Sequence, residues 1–331
     1  MTPLSEEDKC DVTFVVIAYN ESAGIIECLE TIFRQDSIHN FKVVVVDDGS
    51  TDGTGKLVAS RFDKQIQVIS QPNLGRGAAR QTGLAQASSE YVAMVDSDIH
   101  LPKDWLARCM SQIQGKAAVG GIAVPDGDCS TMHRLFNLSP KNKPGSVSVT
   151  GNNALFSTEV LRTSGTSWVT PLGEDFRLNQ LLVSKGFDLN TVPGLFVKHI
   201  EHKRYRNSLL WLYKSGHDAT NLWFEFRKTR RPDLVASAFL VVTIFSVALL
   251  PSFGVLILLT PFLFCTAVGT GHLNSKFYAK ENFPGFVKAI LPNSILMGAY
   301  LLGRQVGLIQ NLGYFLKNRI DLLLHRGRSA L

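Results

Sequence analysis

Four apolar runs of strand length set the frame for the first part of the chain: "VTFVVIAY" (12–19), "FKVVVVDDGS" (41–50), "QIQVISQ" (65–71) and "YVAMVDSD" (91–98). They read as continuous rather than alternating, which is the pattern of strands buried on both faces. Between them lie helical patterns. "ESAGIIECLETIFRQ" (21–35) brings Ile25, Leu29, Ile32 and Phe33 to one side, "TDGTGKLVASRF" (51–62) starts a helix, and "GRGAARQTGLAQA" (75–87) reads as another. Strands alternating with helices predict an α/β domain, a Rossmann-like, mostly parallel sheet covered on both faces. Ligands of such sheets sit beyond the carboxyl ends of the strands. Polar residues gather at those ends: Tyr19-Asn20-Glu21, Asp47-Asp48-Gly49-Ser50 and Asp96-Ser97-Asp98. One Asp-x-Asp is weak, because a polar turn after a strand gives the same text. Three polar clusters, each closing a buried strand, are a site.

Gly75-Arg76-Gly77 with Asp96 further on imitates a dinucleotide fingerprint, but Arg80 stands where the third glycine belongs and the motif follows the third strand. No phosphate-binding P-loop pattern occurs. A dehydrogenase is therefore set aside.

A composition of 45% hydrophobic and 19% charged residues excludes a disordered chain. The net charge of +6 concentrates between Lys198 and Arg231. Such a block suits nucleic acid or the anionic face of a membrane. The next segment favours the membrane, since Leu234–Gly271 contains no Asp, Glu, Lys, Arg or His. As one helix it would run about 57 Å, roughly twice a bilayer core. Pro251-Ser252-Phe253-Gly254 breaks it, so the expectation is a transmembrane hairpin over 234–271, with a third span or an interfacial helix over 287–315. Segment 204–232 mixes Trp211, Tyr213, Trp223 and Phe226 with basic residues and reads as an interfacial amphipathic helix. The expected domains are then 1–203 catalytic, 204–232 interfacial and 233–331 membrane. The basic residues put the catalytic part on the cytoplasmic side of a multi-pass cell-membrane protein. The acidic N-terminus lacks the apolar core of a secretory signal, and five scattered cysteines read as reduced thiols.

In order and spacing, "VVIAYNE" (15–21), "VVVDDGSTDGT" (44–54), "NLGRGAARQTGLAQASSEYVAMVDSD" (73–98) and "GEDFRLNQLLVSKG" (173–186) resemble the family 2 glycosyltransferases. These are inverting enzymes of the GT-A, nucleotide-diphospho-sugar transferase fold. The likeness runs over roughly 11–228. It implies that Ala18, Tyr19, Glu21 and Asp48 hold the nucleoside, with Asn73, Arg76, Arg80 and Asp96 also on the donor side. For Arg76 and Arg80 a surface salt bridge is the alternative. Asp96 and Asp98 would hold Mg²⁺ or Mn²⁺ against the donor diphosphate. His100 would join them, as a polar residue does in the similar dolichyl-phosphate mannose synthases, and an imidazole there favours Mn²⁺. Asp175 of the Glu174-Asp175 pair would be the base that takes the acceptor proton, although an acidic helix start serves the dipole equally well. His199, Arg204 and Arg206 are candidates for phosphate or acceptor contacts.

A base is needed by a hydroxyl acceptor and not by a phosphate, so the pair favours a lipid or lipid-linked saccharide hydroxyl over polyprenyl phosphate. The donor would be UDP- or GDP-linked, and no nucleic acid is expected as partner. Ile17 replaces a common family proline. The Gln-x-x-Arg-Trp motif of processive synthases is missing, which implies one sugar per encounter. The loop 124–149 reads as a cover over the acceptor site. A non-catalytic membrane scaffold of the same fold is the rival from another class; Asp48, Asp96, Asp98 and Asp175 argue against it.

Overall fold

A computed structural model describes residues 10–126, 148–165, 168, 174–200, 205–226, 231–253, 259–274, 290–292 and 294–311. The chain divides into two compact units, one holding the described residues up to 200 and one holding those from 205 onward.

The first unit is an α/β domain on an eight-stranded sheet. In chain order its elements are β1 (Val12–Ala18), α1 (Ile25–Phe33), β2 (Phe41–Asp47), α2 (Thr54–Phe62), β3 (Ile66–Ser70), α3 (Arg76–Gln86) and β4 (Tyr91–Asp96). There follow β5 (Ile99–His100), α4 (Trp105–Ile113), β6 (Ala118–Asp126), β7 (Asn153–Ser157), α5 (Thr158–Thr163), α6 (Glu174–Ser184) and β8 (Leu189–Ile200). The sheet order is β3-β2-β1-β4-β7-β6-β8-β5. The four strands expected from the sequence form a parallel half. Beyond β4 the sheet turns mixed, with β7 antiparallel to both β4 and β6 and β5 antiparallel to β8.

The lack of alternation in the strands has a direct cause, since both faces are core. Val12, Phe14 and Val16 pack under α1, α2 and α4 with Leu29, Val58 and Trp105. Val15 and Ile17 point the other way, to Ala79, Leu178 and Leu182 of α3 and α6. Each such aliphatic side chain, taken fully from water, contributes about 1.5–3 kcal/mol. The polar exception in β1, fully buried Thr13, shares a 2.6 Å hydrogen bond with the Ser89 hydroxyl.

The loop expected over 124–149 begins later than its composition suggests, because 124–126 continue β6 beside β8. Residues 127–147, and with them most of the expected cover, lie outside the described residues.

In the second unit α7 (Tyr205–Phe226) covers the segment expected to be interfacial. Then come α8 (Arg231–Ala248), a single turn α9 (Leu250–Phe253) and α10 (Leu259–Asn274). The break expected at Pro251 falls on that short turn. A further helix, α11, runs over 294–311. It lies against α7 through glycines: a Cβ on Gly216 would collide with the Tyr300 carbonyl, and one on Gly303 with the Tyr213 carbonyl. Small residues let two backbones approach this closely. Gln305 Nε2 donates 2.9 Å to the Ala236 carbonyl of α8. Along α8 and α10, Leu234, Ile244, Phe245, Val247 and Leu263 are exposed, each to more than half. No helix among the described residues is long and apolar enough to cross a membrane.

Candidate active site

Register places the site. Ala18 pairs with Asp47, Ile17 with Asp96, and Asp47 with Ser70, so β1 to β4 end level along one edge. The two loops leaving β1 and β2 are tied together there. Asn20, in the left-handed region at φ 55, accepts from Thr51 N at 2.8 Å, and its own N–H donates to Ser50 Oγ at 2.9 Å. Glu21 N donates to Thr54 Oγ1 at 2.9 Å, and Asp52 accepts from Ser22 N and Thr54 N at 3.0 Å each. A hydrogen bond from the Thr54 hydroxyl, and then those from the amides, hold the Asp52 carboxyl well below the usual carboxylate range. Thr54 did not stand out in the sequence, although it lies inside the "DDGSTDGT" motif with Ser50.

Asp48 is 4% exposed. Its Oδ1 accepts from Gln71 Nε2 at 2.7 Å and Leu74 N at 3.0 Å, and Oδ2 from Gly75 N at 2.9 Å. Gln71 is held in turn by the Thr82 hydroxyl at 2.7 Å. Asp48 therefore braces the segment that carries Asn73, and Gly49 beneath it has no room for a side chain: a Cβ would stand 2.7 Å from Asn73 N. Both Asp48 oxygens are thus engaged within the protein, while Tyr19 is half exposed beside buried Ala18. Glu21 lies among acids. Burial first, then Asp98, Asp52 and Asp96, raise its carboxyl to about 7, against a smaller opposing pull from His199.

Arg80 is the main departure from expectation. The sequence offered it as a donor contact or a surface salt bridge; its side chain is 1% exposed. Nη2 lies 2.7 Å from Asp96 Oδ1, and Nη1 lies 3.0 Å from Glu174 Oε1 and 3.5 Å from Asp175 Oδ1. The guanidinium carbon sits 5.2 Å from the centre of the buried Trp168 ring, within cation–π range. Burial works against the charge, yet the three carboxylates outweigh it and keep Arg80 protonated beyond its ordinary range. Burial raises Glu174, but Arg76 and Arg80 outweigh that and hold it below the usual carboxylate range. Burial pushes Asp96 up, against the pull of Arg80. Arg76 is the surface partner, 62% exposed and 3.1 Å from Glu174 Oε1. The pair Glu174-Asp175 opens α6 and is thus split in two: Glu174 is buried in the network, whereas the Asp175 side chain is 35% exposed.

The structure brings His199, rather than His100, to Asp98. His199 Nε2 is 3.1 Å from Asp98 Oδ2, because Ile99 pairs with His199 across β5 and β8. His100 turns its Nδ1 to Glu27 Oε1 at 3.7 Å, and burial lowers its basicity. Arg204 lies outside the described residues, and so does the side chain of Arg206 on α7. Among the described residues no group of three His, Cys, Asp or Glu is assembled to hold a metal ion. The donor chemistry nevertheless fits one. Asp98 Oδ1 is a buried carboxylate oxygen with no hydrogen-bond partner, and hard oxygen next to imidazole suits Mg²⁺ or Mn²⁺.

Residues 13–164 match the model of glycosyl transferase family 2. That span runs from β1 to just past α5. The glycosyltransferase GlyA of Streptococcus pneumoniae is 39% identical over 114 residues, 33% of this chain and 16% of GlyA. The succinoglycan biosynthesis protein ExoO of Rhizobium meliloti is 37% identical over 129 residues, 39% of this chain and 36% of ExoO. The chain thus spans well under half the length of these relatives. A mannosyltransferase of Pyrobaculum calidifontis, solved with GDP-mannose and Mn²⁺, superposes with a TM-score of 0.55 at 20% identity. The superposition covers 89% of this chain and 87% of that one, which shows the shared GT-A fold. Together the matches make the first unit similar to glycosyltransferases in sequence and in fold.

Proposed function

We propose that this protein transfers one sugar at a time, with inversion, from a UDP- or GDP-linked donor to a hydroxyl of a lipid or lipid-linked saccharide at a membrane surface, in cell-envelope glycan or glycolipid synthesis. The observation that carries the reading is the partition of acids along one sheet edge. Glu21, Asp96 and Asp98 stand at strand ends on the donor side, and partly exposed Asp175 opens α6, 3.5 Å from the Arg80 guanidinium that also holds Asp96.

The nucleoside lies against Tyr19 and Glu21. Asp98 and Asp96, with His199 beside them, would hold a divalent cation, which would supply positive charge against the leaving nucleoside diphosphate. Asp175 accepts the proton of the acceptor hydroxyl as its oxygen attacks the anomeric carbon from the face opposite the leaving group. Glu174, committed to Arg76 and Arg80, is not free to do so. Arg76 is exposed enough to meet the donor phosphates. The exposed apolar side chains of α8 and α10, with the basic block before them, support membrane attachment with the catalytic unit on the cytoplasmic side.

The test is nucleotide release from a panel of UDP-, GDP- and dTDP-sugars by detergent-solubilised protein with Mn²⁺ and membrane lipids. Wild type should release one nucleotide and form a lipid product, Asp175→Asn should bind the same nucleotide without transfer, and Asp98→Ala should lose both. Full transfer by Asp175→Asn would remove the base and, with it, the preference for a hydroxyl acceptor.

A further inference from the structure

We infer that Arg80 is the positioning residue of this site: one buried guanidinium that locks the donor-side carboxylate Asp96 and the acceptor-side pair Glu174-Asp175 into a single frame. The inference rests on the glycosyltransferase reading for what the frame is used for, and on geometry alone for its existence.

Three observations carry it. The guanidinium divides its two terminal nitrogens between the two sides. Nη2 serves Asp96 at 2.7 Å, and Nη1 serves Glu174 at 3.0 Å with Asp175 at 3.5 Å. These partners come from the end of β4 and the start of α6, which share no strand pairing. Secondly, Arg80 is out of reach of a ligand. It is among the largest fully buried side chains of the protein, under the Trp168 ring on one side, and its Nε finds no acceptor. A residue meant to touch a diphosphate would be exposed like Arg76. Thirdly, the fold holds it there. Gly77, Ala79, Gly83 and Leu84 are buried along α3 with Arg80, and a Cβ on Gly83 would collide with Val15 of the central strand. The helix lies too close to the sheet for Arg80 to swing out.

A planar fork can address two separate carboxylates at fixed directions; a lysine ammonium of similar charge and reach is a single point. Charge alone is therefore not what the site takes from Arg80. The distance between the leaving group's end and the base's end of the reaction is set by this one side chain. Misplacement of reacting groups by about 1 Å costs on the order of a hundredfold in rate.

Two measurements test this. The first needs no substrate. In a double-mutant cycle of Asp96→Asn and Glu174→Gln, read as melting temperature, the two changes should be non-additive in the wild-type background and additive once Arg80→Met is present. Additivity in both backgrounds would mean that Arg80 does not join the two sides, and the inference falls. The second is kinetic. Arg80→Lys should keep calorimetric affinity for the nucleoside diphosphate within about threefold while kcat drops about a hundredfold. Affinity lost in step with kcat/KM, at unchanged kcat, would make Arg80 a donor ligand and overturn the inference. If Arg80→Lys does not fold, Glu174→Gln takes its place with the same expectation, and wild-type kcat in that variant counts against the frame. A wild-type protein that couples in the cycle but turns over no donor would sink the glycosyltransferase reading and leave the frame standing.

Discussion

Gly151 has no space for a side chain because Asp175 occupies it: a Cβ on Gly151 would collide with Asp175 Oδ1 and stand 3.0 Å from Trp168 Cζ3. Trp168 is 1% exposed and cannot yield; Asp175 is the freer partner. Gly151→Ala should therefore push the carboxylate off its position. The expected outcome is a kcat reduced about a hundredfold with nucleoside diphosphate affinity unchanged. Steady-state kinetics beside calorimetry would read it, and an unimpaired kcat would separate Asp175 from the chemistry.

Glu21 makes stability depend on pH. Its folded carboxyl is raised to about 7 from an ordinary value of 4.5, by burial and by neighbouring acids. The folded state then binds more protons than the unfolded one between those values, so Glu21 costs stability increasingly from about 4.5 to about 7 and costs its full amount above. In metal-free buffer, Glu21→Gln should melt at the same temperature as wild type near pH 4.5 and above it at pH 8. A constant difference across that range would show that the residue is not perturbed in the folded protein.

Divalent metal should stabilise the fold through Asp98. A ligand at a hundred times its Kd adds about 2.7 kcal/mol, so saturating Mn²⁺ should raise the melting temperature of wild type by a few degrees. Asp98→Asn should lose that shift without losing its own fold. An equal Mn²⁺ response in both proteins would place the cation elsewhere.

The glycine contact between α7 and α11 should tolerate no added carbon. Gly303→Ala places a methyl group into the Tyr213 carbonyl, and overpacking of this kind costs about 1–3 kcal/mol. Faster proteolysis of the second unit, with the catalytic unit unaffected, is the expected signature. Identical cleavage rates would mean that the two helices do not meet at these residues.

Much of the site was legible because its signals are local. Buried strands announce themselves as unbroken apolar runs, and register then aligns their polar ends without further information. Asp96 and Asp98 could be marked in this way, whereas Glu174-Asp175, at a helix start, was marked by the resemblance to family 2 glycosyltransferases. What could not be read locally was who meets whom. His100 is the histidine nearest to Asp98 in sequence, yet antiparallel pairing of β5 with β8 delivers His199 to it instead. Asp48 looked like a free carboxylate because Gln71 and the amides of Leu74 and Gly75, its partners, follow a different strand. Arg80 did leave a trace. Gly77, Arg80, Gly83 and Leu84 follow the spacing of a buried helical stripe, and an arginine on such a stripe must find carboxylates inside. The spacing gives its burial, but only the tertiary fold names Asp96, Glu174 and Asp175.

The position of β8 in the sheet bears on how the protein is made. It is the last strand among the described residues, yet it lies between β6 and β5, and it brings His199. Until residue 200 has left the ribosome, β5 lacks its β8 partner and Asp98 lacks His199, so a nascent chain carries all of the site's acids but not the finished site. The next long stretch to emerge is the uncharged one beginning at Leu234. Completion of the catalytic unit and arrival of the most apolar part of the chain therefore come close together in time, with only the basic segment between them to separate one event from the other.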